Sequence, residues 1–88
     1  MRDPGPLTPL SREGHPDILG TIWYERYSGE YHVPVAWHGE HTLIAQVYAP
    51  SGAGLGFCFM VALRGLQEVT PEHWERVQAE YLCGVLAR

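Results

Sequence analysis

The chain contains no lysine and no asparagine, and its six cationic residues, all arginine, stand against ten acidic ones. A formal charge of −4 argues against a protein that grips nucleic-acid phosphates or an anionic membrane, so neither is expected as a partner. Lysine and asparagine both use A-rich codons, and their absence points to a GC-rich genome, bacterial or phage. Cysteine is scarce: Cys58 and Cys83 lack a Cys-x-x-Cys spacing, which excludes a metal knuckle or a thioredoxin-like redox pair. Both are expected as buried free thiols. Long apolar runs are also missing. Between His41 and Leu63 there is no Asp, Glu, Lys or Arg, but Gln46, Pro50 and several glycines interrupt that stretch. Its longest clean segment, Leu55 to Leu63, falls far short of the roughly 20 residues of a spanning helix. No apolar segment follows the opening Met-Arg-Asp-Pro-Gly-Pro, so a signal peptide is not expected and the cytoplasm is the expected location.

What is present is 88 residues, 45% of them hydrophobic and 18% charged. That is enough for one hydrophobic core and too apolar for a disordered tail. Five histidines would carry the formal charge from −4 to about +1 when all are protonated, which predicts a solubility minimum in mild acid. Residues 1–16 hold Pro4, Pro6, Pro9 and Pro16 with Gly5 and Gly14. They read as an extended arm, with at most one turn between Pro9 and Gly14. The domain proper is expected over 17–88.

Ile18 to Tyr27 is rich in β-branched and aromatic residues and runs into Ser28-Gly29; Tyr31 to Trp37 continues the composition, and Gly39-Glu40 precedes His41 to Tyr48. Two tight turns and three strands in a meander follow. With two residues in each turn, Glu25 faces His32, Trp23 faces Pro34, His38 faces His41 and His32 faces Val47. Ile22, Tyr24, Tyr31, Val33, Val35, Trp37, Ile44 and Tyr48 then share the other face, which is the predicted core. Pro34 cannot donate to a ladder, so a bulge is expected there.

Leu55 to Leu63 is apolar on both parities and predicts a fourth strand buried on both faces, with a buried helix as the competing reading. Thr70-Pro71-Glu72 is a helix-start signature, and Trp74, Val77, Gln78, Tyr81, Leu82 and Val85 recur at helical spacing. This predicts a helix over about 71–86 that lies on the aromatic face, with Gly84 as an early stop. The expected fold class is α+β: a four-stranded, mainly antiparallel meander with one C-terminal helix on one face and a Pro-rich N-terminal arm.

Candidate sites are sparse. His38 and His41, held opposite each other across a two-residue turn, are the candidate metal ligands, for zinc or a similar divalent ion, against a reading as exposed hairpin histidines. Glu25 opposite His32 is either an acid–base pair or a cross-strand charge pair, and Thr21 is the only hydroxyl on that face. Gly52-Ala53-Gly54-Leu55-Gly56 has the wrong spacing for a dinucleotide loop and reads as a strand-to-strand connection. A doubly apolar fourth strand needs cover on both sides, and one helix and one arm do not supply it. The candidate interaction surface is therefore the face away from the helix, carrying Trp23, Glu25, His32, Pro34, Leu43 and Val47. The expected function is a small non-enzymatic protein-interaction or regulatory module, homodimeric or bound to another protein. The alternative is a small-ligand or divalent-metal-binding protein with its site on the histidine-bearing face. An enzyme completed across a dimer interface by Glu25 and His32 is the third reading.

Overall fold

The computed structural model describes residues 12–14 and 17–86. Most of the expected N-terminal arm, including Pro4, Pro6, Pro9 and Pro16, lies outside them; within it a short 3-10 turn spans Arg12–Gly14. The fold is α+β, an antiparallel sheet with one C-terminal helix. Five strands form the sheet rather than four: β1 (Trp23–Glu25), β2 (Glu30–Trp37), β3 (Thr42–Tyr48), β4 (Gly54–Ala62) and β5 (Leu66–Glu68). The order is β4-β3-β2-β1-β5. α1 spans Pro71–Leu86, and Gly84 does not stop it, because a single exposed glycine costs only about 1 kcal/mol in a helix.

β5 was not expected from the sequence, and it decides the shape. β4 and β5 occupy opposite edges of the sheet, yet only the 3-10 turn Leu63–Gly65 joins them. Four interstrand steps of a flat sheet would separate those edges by roughly 19 Å, whereas one 3-10 turn rises about 2 Å per residue. The sheet must therefore curl until its edges approach. Its concave face closes on Ile18, Trp23, Leu43, Ala45, Val61, Leu63 and Leu66, drawn from β1, β3, β4, β5, the segment before β1 and the Leu63–Gly65 turn.

This moves the core to the face opposite the expected one. Of the residues assigned to the aromatic face, Tyr31 is buried, while Val35 is exposed and Ile22, Tyr24, Val33, Ile44 and Tyr48 are half-buried. Trp37 crosses over and packs against the concave core, because the register shifts between Pro34 and Ala36. That shift is the bulge expected at Pro34. The helix does cover the aromatic face, but only with its first half: Trp74 lies 4.9 Å from the Tyr31 ring and 5.5 Å from that of Tyr48. Val77 and Tyr81 reach the β3–β4 loop at Gly52, beyond which Leu82, Val85 and Leu86 are exposed. Among the described residues, no helix is long and apolar enough to cross a membrane.

Both expected two-residue turns are longer. β1 and β2 are joined by Arg26 to Gly29, with Gly29 N donating to Glu25 O at 2.9 Å. This slips the pairing by two residues, to Trp23 with His32 and Glu25 with Glu30. A slip of two preserves the face of every side chain, so the grouping survives while the partners change. At the second turn His38 N donates to Thr42 O, leaving a three-residue loop. His38 therefore does not face His41.

Candidate functional site

The six residues of the expected interaction surface do share one face, but it is the inside of the curl. Trp23 and Glu25 are each 7% exposed, His32 3%, Val47 2%, Leu43 0% and Pro34 less than 2%. As drawn from the sequence, the surface is closed by the chain itself. The sequence could not anticipate this, because strand alternation assigns faces without saying whether a face curls onto itself.

Part of that face stays open where β4 leaves the curl. A groove of about 420 Å³ runs from the first turn to β4, lined by Glu25, Tyr27, Ser28, Glu30 and His32 on one side and by Phe57, Phe59 and Met60 on the other. Glu25 is committed to the fold: its carboxylate accepts from the backbone N–H of Tyr27 at 2.9 Å and of Ser28 at 2.8 Å. A side chain at Gly65 would collide with that carboxylate and with the Tyr27 ring. Tyr27 forms the outer lip, with the Arg26 guanidinium 4.7 Å from its ring centre and bonded to its hydroxyl at 2.8 Å.

His32 lies buried at the base of the groove, and among the described residues its Nδ1 has no hydrogen-bond partner. Burial lowers its pKa below the ordinary histidine value, while the Glu30 backbone carbonyl and the charges of Glu25 and Glu30 pull the other way. A hydrogen-bonded acid–base couple would need a free carboxylate oxygen aimed at the ring. Both Glu25 oxygens instead serve the turn.

The histidine pair at the second turn is solvent-exposed. The longer loop removes the direct opposition that made His38 and His41 candidate metal ligands. Among the described residues, no group of three or more His, Cys, Asp or Glu is gathered closely enough to hold a metal ion.

The largest departure from the sequence reading is β4. Expected to be buried on both faces, it is exposed along nearly its whole length, with Leu55 at 39%, Phe57 at 49%, Phe59 at 64% and Met60 at 51%. Cys58, expected in the core, is exposed on this strand, and Cys83 is exposed on α1. β4 is apolar on both parities although it is an edge strand with neither face fully covered. The available signal was position: an uncharged strand at the end of a meander falls at a sheet edge unless the chain pairs with it again. No family model matches the chain, and no curated protein and no solved structure matches it either.

Proposed function

We propose that this protein is a small non-enzymatic interaction module that associates with itself through the β4 side of its curled sheet. One observation carries the reading. β4 is a nine-residue edge strand with no charged residue and with Leu55, Phe57, Phe59 and Met60 substantially open to water. Native proteins ordinarily protect such an edge with lysine, proline, a bulge or a covering element; the register shift opposite Gln46 and Tyr48 interrupts the start of β4 but leaves Cys58 to Ala62 regular, and exposed apolar patches of this kind mark association surfaces. The test is sedimentation velocity from roughly 1 to 100 µM, a range that brackets micromolar association. Wild type is expected to shift from monomer to dimer and Phe59→Lys to stay monomeric. A wild-type protein that stays monomeric throughout overturns the reading.

A small ligand in the groove is the second reading, and the unpartnered Nδ1 of buried His32 favours it. Native mass spectrometry of protein prepared without chelator separates the two. An adduct present in wild type and lost in His32→Gln supports the ligand; a bare dimer supports the module.

A further inference from the structure

We infer that the partner on β4 is a second copy of the chain, joined by antiparallel β4–β4 pairing with the twofold axis at Phe59. This rests on the self-association proposed above and specifies its geometry. Leu63 N donates to His41 O at 2.9 Å across the β3–β4 ladder, and hydrogen-bonded pairs recur at every second residue of an antiparallel pair. Phe59 and Val61 therefore aim their backbone groups at β3. Cys58, Met60 and Ala62 aim theirs outward, where among the described residues no strand lies beside β4. A free ladder edge selects an extended strand as its occupant.

The charge pattern favours β4 of another copy as that strand, and the ladder pattern accommodates it. The chain carries a charge of −4, yet has no Asp, Glu, Lys or Arg between His41 and Leu63, so the repulsion between copies is weakest where the two edges meet. With Phe59 on the axis, Cys58 lies opposite Met60 of the other copy, and both outward-facing residues exchange both of their backbone bonds. Phe59, the most exposed large side chain of the strand, then meets its own counterpart at a non-hydrogen-bonded position, where the two chains approach to about 4.5 Å between Cα atoms.

The apolar side-chain area open to enclosure is at most about 400 Å² per copy, from the exposures of Leu55, Phe57, Phe59 and Met60 and aromatic side-chain areas of 150–250 Å². Specific interfaces start near 1,200 Å² over both partners. The side chains supply at most about two thirds of that and the paired backbone adds to it, so a weak, dissociable dimer is expected. Screening the like charge of the two copies should tighten it as salt is raised.

The experiment is oxidative cross-linking of single-cysteine variants in the full chain, in a Cys58→Ser, Cys83→Ser background, with sedimentation velocity alongside. Phe59→Cys is expected to form a disulfide-linked dimer, because residues on the axis fall within the Cα separation a disulfide accepts; Leu55→Cys is expected not to. Phe59→Lys and Cys58→Arg, each checked for native circular dichroism, should weaken the dimer at least tenfold. A dimer that responds to both charged variants but cross-links through Leu55→Cys instead overturns this register and leaves association through β4 standing. A dimer indifferent to both charged variants but broken by Leu82→Glu with Leu86→Glu overturns both, and so does a strictly monomeric wild type.

Discussion

Glu25 shows how one side chain reset the pairing expected from composition. Ser28-Gly29 is a fair two-residue turn signal, but the Glu25 carboxylate, 7% exposed, collects the N–H groups of Tyr27 and Ser28 and winds Arg26 to Gly29 into a longer turn. Hydrogen bonds to a charged group contribute about 1.5–3 kcal/mol each, and because Tyr27 and Ser28 are exposed, water takes over part of both bonds when the carboxylate is lost. Glu25→Ala is therefore expected to lower the unfolding free energy by about 2 kcal/mol in urea titration, with its m-value unchanged. His32 predicts a pH effect. Its folded pKa is lowered chiefly by burial, so the unfolded chain takes up a proton more readily than the folded one. Stability is then full above the ordinary value of 6.5 and falls as pH drops through that value toward the lowered one. Thermal midpoints measured from about pH 7.5 down to 5 should decline, and His32→Gln should flatten the decline. At this scale the sequence identified Glu25 and His32 as residues of one face. It could not show that the carboxylate was already occupied by backbone donors, since those donors come from a turn whose length the carboxylate itself sets.

Among the elements, the helix was the most legible because its start is a local event. Thr70 Oγ1 accepts from His73 N at 3.1 Å, and Thr70 O accepts from Trp74 N at 3.1 Å, as the Thr-Pro-Glu signature implies. Thr70→Ala should cost about 1 kcal/mol, read as a lower thermal midpoint. What the helix rests on was not local. Gly52 has φ of +99°, and a Cβ there would sit 3.0 Å from Val77 Cγ1, so the β3–β4 loop is a seat shaped for α1. Gly52→Ala combines strain with a clash and is expected to cost more than the Thr70 change, about 2 kcal/mol, with the intensity of Trp74 fluorescence altered. β5 escaped notice because three residues, Leu66–Glu68, carry no periodicity to read. They become a strand only because β1 offers a free edge on the far side of the curl.

For the whole molecule, the decisive event is that one apolar sheet face folds onto itself, which leaves the helix as an outer brace rather than the lid of the core. The extents of 43 × 25 × 21 Å fit a compact curl with a helix crossing it and running on past the β3–β4 loop. Leu86, 84% exposed, should be dispensable to the fold: Leu86→Glu is expected to change stability by no more than about 0.5 kcal/mol. That result would separate the protruding helix end, which the fold does not use, from β4, whose outer edge the proposed dimer does use.

The sequence by itself determined what is short-range or set by alternation: the helix and its cap, the meander through β2, β3 and β4, the bulge at Pro34, and, as far as that bulge, the partition of side chains between two faces. These follow from propensity, proline chemistry and a period of two, all of which act within a few residues. Only the tertiary structure decided which face became the core and that the apolar β4 would have neither face fully covered. Both depend on the approach of β4 and β5, elements separated by the width of the sheet and joined by the single turn Leu63–Gly65. Curling buries Trp23, Leu43 and Leu66 together, and the hydrophobic gain from that closure is collective, so no local stretch of the chain could announce it.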